Sequence, residues 1–163
     1  MVFRMIKIPR KKILVDSLTN FSLNFGLKLR FVLEAAAAAY AHYPHMRRVG
    51  NLLHLSGTSS RRPDGTHRGV VKKEDGSAEL SIAEQTAGVL ENMKAMLEHA
   101  GASLQHLVDV QVFLVDMKDY PGMNAVYNSY FDATTGPTRT TVAVHQLPHP
   151  NLLIEIKGVA AFP

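Results

Sequence analysis

The chain has 163 residues without a single cysteine, a length and composition that suit one globular domain and exclude disulfides, thiolate catalysis and cysteine-ligated metal sites. The formal net charge of +4 is uneven, because residues 1–41 carry seven Lys or Arg against two acidic residues, whereas residues 42–163 carry eleven against twelve. The larger part is close to neutral and has no apolar run of roughly 20 residues, so we expect neither a nucleic-acid partner nor a membrane span.

Residues 1–41 are predicted to be a basic, flexible extension that precedes a body at residues 42–163. Residues 1–17 mix basic and aliphatic side chains with few acids, which is typical of a mitochondrial-type presequence, an interfacial amphipathic segment, or a stretch added by an upstream start codon. We favour the added stretch over a sorting signal, and therefore expect the protein in the cytoplasm. A genuine presequence would instead indicate the mitochondrion.

Hydrophobic periodicity predicts one long helix and one shorter helix. In residues 81–100, Ser81 and Glu84 form the pattern of a capping box, apolar residues recur on one face, and Gly101 provides a stop. A second helix is predicted over residues 120–131. The apolar face of the long helix consists of Ile82, Val89, Leu90, Met93, Met96 and Leu97, and that of the second helix of Met123, Val126, Tyr127 and Tyr130.

Alternating apolar residues and turn signals predict strands before, between and after the helices. The strand segments are residues 46–55, divided by a Gly50-Asn51 turn, and residues 69–73, 107–117, 140–146 and 152–159. The last two would form a hairpin, since only a short Pro-rich turn separates them. In the segment at residues 107–117, Val108, Val110, Val112 and Leu114 are predicted to share one side. The order β-β-β-α-β-α-β-β predicts an α+β fold in which two helices cover one face of a mixed sheet.

Two charged residues stand out in the final pair of strands. Arg139 follows Pro137 at the start of the first strand, and Glu155 lies within the apolar run of residues 152–156. A carboxylate between aliphatic neighbours is costly unless it is paired, hydrated or placed in a cavity. From these residues alone, a solvated strand face and a functional carboxylate both stay open.

Residues 137–148 carry a recognisable pattern, PTRTTVAVHQLP, which is followed shortly by Ile154-Glu155-Ile156. Together these motifs resemble the C-terminal signature of the RidA/YjgF family of enamine and imine deaminases. The chain has Thr141 where many members have cysteine, and one extra residue in the Pro-rich turn, and both departures resemble the 2-aminomuconate deaminase branch. The resemblance covers about residues 42–163 and implies a chorismate-mutase-like fold that assembles as a homotrimer with clefts between subunits.

The resemblance also implies roles for particular residues. It implies that Arg139 binds the carboxylate of the substrate and that Glu155 orients the attacking water, an acid–base chemistry that needs no metal and no cofactor. Tyr43 would line the pocket of a neighbouring subunit. The other candidate substrate-binding residues are Ser56, Gly57, Asn124, Tyr127, Thr140, Thr141 and His145.

Arg61 and Arg62 lie in a predicted loop, where adjacent arginines are usually a solvated pair. Their surroundings, SGTSSRRPD, resemble the 2-aminomuconate deaminase branch, whose substrate has two carboxylates. One of the pair could therefore supply a second cation beside Arg139, since the guanidinium fork suits a carboxylate. The sequence leaves both interpretations open.

The activity that the resemblance implies is hydrolytic deamination of an enamine or imine acid, most specifically of 2-aminomuconate to 4-oxalocrotonate plus ammonia. A generic variant would act on short 2-imino or 2-enamino acids such as 2-iminopropanoate. The alternative class is a non-catalytic trimer that binds small ligands, or acts in a chaperone-like way, through the same clefts. The eight histidines have none of the usual metal-ligand spacings, so no metal is expected.

Overall fold

The computed structural model describes residues 41–162 together with the backbone of three earlier strands, at residues 4–8, 11–15 and 28–31. Within these residues there are ten strands, two α-helices and two short 3-10 turns. The strands are β1 (Arg4–Ile8), β2 (Lys11–Val15), β3 (Lys28–Phe31), β4 (Met46–Val49), β5 (Leu52–Leu55), β6 (Val70–Lys72), β7 (Ala78–Leu80), β8 (Leu107–Leu114), β9 (Thr138–Ala143) and β10 (Ile154–Ala161). The helices are α1 (Ile82–Ala100) and α2 (Tyr120–Tyr127), and the 3-10 turns are Leu104–His106 and Met117–Asp119.

Eight of the ten described strands form one mixed sheet in the order β1-β2-β3-β4-β5-β10-β8-β9. Neighbouring strands are antiparallel except for β8 and β9, which are parallel. The strands β6 and β7 form a separate hairpin. The helices α1 and α2 pack on one face of the sheet and share its buried core. The predicted α+β fold, with two helices on a mixed sheet, is therefore confirmed.

The buried core forms where the apolar side chains on one face of the sheet pack against the apolar face of α1. Ile154 and Ile156 of β10 are fully buried, as are the side chains of β8 that point to the same face. The predicted apolar face of α1 packs on them, and its six residues are all buried or half-buried. Each fully buried aliphatic side chain contributes about 1.5–3 kcal/mol relative to an exposed one, which makes this layer the main source of stability.

The two ends of α1 follow the predicted signals, although the capping box is only half formed. Ser81 Oγ accepts the N–H of Glu84 at 3.3 Å, and Gly101 ends the helix with a φ of 88°. The reciprocal bond is replaced, because the N–H of Ser81 donates to the carbonyl of Gly69 at 2.9 Å. The Glu84 carboxylate instead accepts from Arg68 Nε at 2.8 Å, which ties the loop before β6 to the helix.

Several predicted boundaries are wrong for local reasons. The helix predicted over residues 120–131 ends at Tyr127, because the N–H groups of Ser129 and Tyr130 bond three residues back instead of four. The strand β7 has no counterpart among the predicted elements. On β8, Val108 is 46% exposed and does not share the buried side, since the pairing with β10 shifts between Val159 and Ala160.

The predicted hairpin of the last two strands is also wrong. The strand β9 pairs in parallel with β8, whereas β10 pairs with the opposite side of β8, so β9 and β10 are not neighbours. The parallel pairing follows from the order β8–α2–β9, because a helix between two strands returns the chain in the same direction. As a result β9 ends the sheet, and its side chains are half-buried or exposed.

The sheet continues beyond β4 towards the N-terminus, because β3 pairs with β4 and β2 pairs with β3. The extension predicted to be flexible thus includes three segments described as strands. Among residues 41–162, the buried hydrophobic residues lie between Met46 and Ala160. A division between an extension at residues 1–41 and a body at residues 42–163 stays a prediction.

Removal of residues 1–40 tests this division. A chain that starts at Ala41 is expected to keep the melting temperature and the oligomeric state of the full chain, because it retains every element of the described core. Thermal denaturation and light scattering measure the two properties. A lower melting temperature, or a change in mass per assembly, would show that β3 stabilises the body.

Candidate functional site

Glu155 lies in an open pocket of about 500 Å³ on the face of the sheet that the helices do not cover. Its neighbours Ile154 and Ile156 are buried under the helices, so strand alternation points Glu155 to the other face. The lining comes from β10, from the β4–β5 hairpin with its flanking residues, and from the Pro-rich loop. It consists of Tyr43, Pro44, Arg47, His54, Leu55, Ser56, Gly57, Pro148, Glu155 and Lys157. Four candidate residues from three separate parts of the sequence therefore share one cavity, namely Tyr43, Ser56, Gly57 and Glu155.

The carboxyl group of Glu155 is packed closely against Gly57. A Cβ atom at position 57 would overlap Glu155 Oε1 and lie 2.9 Å from Cδ, so a larger residue there would displace the carboxyl group. Burial raises the pKa of Glu155 above its ordinary value of 4.5. In the described part of the chain, no basic side chain forms an ion pair with Glu155. A carboxyl group with a raised pKa, open to a pocket, is suited to exchange a proton with a bound molecule.

Arg139 lies on the opposite face, at the edge strand β9. It is paired with Val110, which is fully buried under the helices, so Arg139 points towards α2. Its Nη2 donates to Tyr120 Oη at 3.2 Å, and the guanidinium carbon lies 4.5 Å from the ring centroid of Tyr127. Among the described residues, no carboxylate pairs with Arg139. The guanidinium group is therefore held by aromatic side chains and keeps donors for an anion.

Several polar atoms around Arg139 are buried without a hydrogen-bond partner. They are Asn124 Oδ1, Tyr127 Oη and Thr141 Oγ1. Burial raises the pKa of Tyr127, whereas a hydrogen bond with Asn124, followed by the charge of Arg139, lowers the pKa of Tyr120. A buried polar atom without a partner costs about 1–3 kcal/mol, so this cluster favours a ligand or a neighbouring chain that supplies partners.

Within one chain, the two predicted catalytic residues do not meet. Arg139 shares the helix-covered face with Val110, and Glu155 points to the uncovered face from β10, two strands away. Thr141 lies on the same side as Arg139, because it pairs with the buried Val112. A site that contains both Arg139 and Glu155 therefore requires two copies of the chain.

Two other candidate residues near Arg139 in sequence, Thr140 and His145, are exposed and do not join its buried cluster. Thr140 pairs with Gln111 and points to the uncovered face, where it is exposed. His145 follows the end of β9 and is also exposed. Neither residue lines the Glu155 pocket of its own chain.

Arg61 and Arg62 lie on the helix side of the sheet. The carbonyl of Arg61 and that of Ser59 each accept from Asn92 Nδ2 at 2.9 Å, which fastens this loop to α1. Arg62 Nη1 donates to Thr66 Oγ1 at 3.3 Å and is exposed. Neither arginine lines the Glu155 pocket of its own chain. Their binding of a second carboxylate stays a prediction.

The sequence analysis missed the basic residues of the pocket, Arg47, His54 and Lys157. Strand alternation could have found them, because Arg47 and His54 are non-core positions of the predicted 46–55 hairpin, and Lys157 follows Glu155 by two residues. It also missed Tyr120, which bonds Arg139 but lies at the start of α2 without any pattern of its own.

The described residues contain neither a metal-ligating cluster nor a helix suited to span a membrane. No group of three or more His, Asp or Glu side chains there is arranged to hold a metal ion. His149 stacks instead on His67, with ring centroids 4.4 Å apart. In the same part of the chain, no helix combines the length and the apolar character needed to cross a membrane.

The chain is thus a small α+β protein. Two helices cover one face of a mixed sheet, and a pocket that contains Glu155 lies on the other face. The chain belongs to the family described as Endoribonuclease L-PSP, the RidA/YjgF/RutC family, whose model matches residues 33–162. The resemblance inferred from the C-terminal motifs is therefore confirmed at the level of the family.

Known proteins support this assignment over most of the chain. A RutC family protein of Pyrococcus abyssi is 39% identical over 127 residues, which cover 78% of this chain and 91% of that protein. The chloroplastic Reactive Intermediate Deaminase A of Arabidopsis thaliana is 32% identical over 127 residues, which cover 78% of this chain and 62% of that protein. The crystal structure of the yeast protein YEO7 superposes with a TM-score of 0.72 at 34% identity, and covers 83% of this chain and 99% of the yeast chain.

Proposed function

We propose that this protein is a hydrolytic deaminase of enamine and imine acids. The observation that carries the proposal is the Glu155 carboxyl group, which is half-buried against Gly57, has a raised pKa and opens to a pocket. Similarity to a protein named Reactive Intermediate Deaminase A supports the same reaction class. The most specific form of the proposal is conversion of 2-aminomuconate to 4-oxalocrotonate and ammonia.

The reaction needs proton transfer at a positioned water. An enamine is first protonated on carbon to give an iminium ion, and water then adds to the carbon that bears nitrogen. Glu155, as the carboxylate, accepts a proton from this water while the C–O bond forms. Glu155 returns this proton to nitrogen, the C–N bond breaks, and ammonia leaves as the carbonyl forms. The hydroxyl proton passes to solvent and replaces the proton that solvent supplied to the enamine carbon. The net change is an imine and water going to a ketone and ammonia.

Arg139 would hold the substrate carboxylate next to the reacting carbon. A guanidinium group binds a carboxylate through two parallel hydrogen bonds, which fix orientation as well as position. Since Arg139 and Glu155 point to opposite faces of one sheet, we place the site between two subunits. Each of three subunits in a homotrimer would give Arg139 to one site and Glu155 to the next, which forms three equivalent sites.

Ammonia release from two substrates generated in situ tests the proposal. 2-Aminomuconate has two carboxylates and 2-iminopropanoate has one, so turnover of both supports the reaction class and a preference for the first supports the specific form. A preference for 2-iminopropanoate would indicate a generic imine deaminase. If ammonia is released from neither substrate, the result would favour the alternative function, a non-catalytic trimer that binds small ligands or acts in a chaperone-like way.

Mixed assemblies test the placement of the site between subunits. Co-producing the Arg139→Ala and Glu155→Gln chains in one cell should restore activity that each variant lacks alone. If the chains mix at random, about a quarter of the sites receive an intact Arg139 from one subunit and an intact Glu155 from its neighbour. Ammonia release from the purified mixture is the measurement.

The control for mixing is the double variant Arg139→Ala/Glu155→Gln. Co-produced with either single variant, it cannot form a complete site and should restore nothing. Absence of recovery in assemblies that contain both single variants would show that each site is built within one chain.

Gly57→Ala tests the close packing beside the carboxyl group. The added methyl group overlaps Glu155 Oε1 and must displace the carboxyl group, by on the order of 1 Å. We expect kcat/KM for ammonia release to fall by about 10- to 100-fold. Circular dichroism should show an unchanged fold, and an unchanged rate in the folded variant would exclude a requirement for this geometry.

A further inference from the structure

The face that holds Glu155 also carries three basic side chains in neighbouring positions. Arg47 of β4 and His54 of β5 are directly opposite each other, which places their Cβ atoms about 4.5–5.5 Å apart. His54 is also opposite Val159 of β10, so Lys157, two residues earlier on the same face, is a diagonal neighbour at about 7–8 Å. The three residues line one pocket with Glu155.

In the described part of the chain, these basic side chains have no acidic partner. None of the three forms an ion pair with a carboxylate there. Burial alone accounts for the raised pKa of Glu155, so the cations do not hold its carboxyl group. Asp109, an acidic residue of β8 on this face, accepts a hydrogen bond from Thr138 and does not line the pocket. The pocket therefore has an excess of positive charge next to its one carboxyl group.

We propose that Arg47 and Lys157, with His54 between them, bind a second anionic group of the substrate and so select dicarboxylate enamine or imine acids over monocarboxylates. The inference rests on the proposed function. It assigns the first carboxylate to Arg139 of a neighbouring subunit and the distal anion to the basic side chains.

The spacing fits this division of roles. Glu155 and Lys157 are two residues apart on one strand face, which separates their backbones by about 6.5–7 Å. An anion bound at Lys157 and Arg47 is then a few bonds from a carbon that faces Glu155. By contrast, Arg61 and Arg62 lie on the helix side and do not line this pocket of their own chain.

Binding of two unreactive acids of equal length tests the inference on the full chain. Muconate (hexa-2,4-dienedioate) has two carboxylates and sorbate (hexa-2,4-dienoate) has one. In calorimetric titrations the wild type should bind muconate more tightly. Arg47→Gln and Lys157→Gln should each weaken muconate binding by about 10- to 100-fold and leave sorbate binding within about twofold, which is the loss expected for one charge-assisted bond.

The matched controls remove a positive charge elsewhere. Lys94→Gln changes an exposed lysine of α1 and should leave the preference for muconate unchanged, whereas Arg62→Gln tests the competing assignment of the second carboxylate to the loop fastened to α1. In turnover assays the two pocket variants should lower kcat/KM for 2-aminomuconate and spare 2-iminopropanoate. Because binding is measured without turnover, absence of ammonia release would count against the proposed function and not against the anion site.

Three results would overturn the inference. The first is equal affinity of the wild type for muconate and sorbate. The second is an equal loss of both ligands in the pocket variants, or a loss of muconate binding in Arg62→Gln as large as theirs. The third comes from light scattering on the same samples: dissociation of both Arg47→Gln and Lys157→Gln would show that the basic side chains hold a partner subunit. If only one of the two variants dissociates, the muconate and sorbate affinities of the other variant decide whether the inference holds.

Discussion

Replacement of Glu155 by Gln should lower kcat for ammonia release by about 100- to 10,000-fold, the usual range for the loss of a general acid–base group. The amide has the shape of the carboxyl group and can keep its place against Gly57, but it cannot accept a proton from water. Glu79→Gln is the matched control, because Glu79 is an exposed glutamate of β7 outside the pocket. A Glu155→Gln enzyme with an unchanged rate would exclude Glu155 from the proton transfer.

The same variant should be more stable than the wild type at neutral pH. The pKa of Glu155 is raised in the folded state above 4.5, so between these two values the folded chain binds more protons than the unfolded chain. The free energy of unfolding therefore falls as the pH rises through this interval. Glutamine removes this dependence, and urea unfolding at pH 4 and pH 7 should show a gain for Glu155→Gln at pH 7 only.

Replacement of Arg139 by Ala should lower kcat/KM by about 10- to 150-fold through the carboxylate interaction alone, since a charge-assisted hydrogen bond contributes about 1.5–3 kcal/mol. Loss of orientation at the reacting carbon should add to this effect. Arg139→Lys keeps the charge but loses the two-pronged geometry, so we expect partial recovery.

Arg48→Ala is the control for removal of an arginine packed on an aromatic ring. The guanidinium carbon of Arg48 lies 3.8 Å from the ring centroid of Phe162, outside the pocket. This variant should retain full activity. If Arg139→Ala and Arg48→Ala behaved alike in the ammonia assay, Arg139 would have only a structural role.

The sequence predicts best the elements that depend on local patterns. The helix α1 follows from its apolar spacing and from Ser81 and Gly101, and β10 follows from the alternation around Glu155. The pairing of β9 depends on a partner 29 residues earlier, since Thr138 lies opposite Asp109. No local signal specifies this contact, so the sequence predicts the nearest strand, β10, as the partner instead.

The candidate site, too, is predicted by local motifs only in part, because its assembly depends on long-range strand pairing. The motif resemblance selects Arg139 and Glu155, but the side of the sheet to which each points depends on the order of strands, which the motif does not contain. The basic residues Arg47, His54 and Lys157 come from three strands, and only the sheet registers bring them to one pocket. In the sequence, a basic side chain of a pocket cannot be distinguished from one on the open surface until the neighbouring strands are known.

The position of β9 at the end of the sheet also affects how the protein behaves when it is dilute. Among the strands that the structure describes, none lies on the outer side of β9 in a single chain, and Val142 is 43% exposed. A free edge strand of this kind is a template for pairing with other chains. We therefore expect a chain whose β9 edge is uncovered to be prone to aggregation, which would restrict the conditions under which the protein can be stored and assayed.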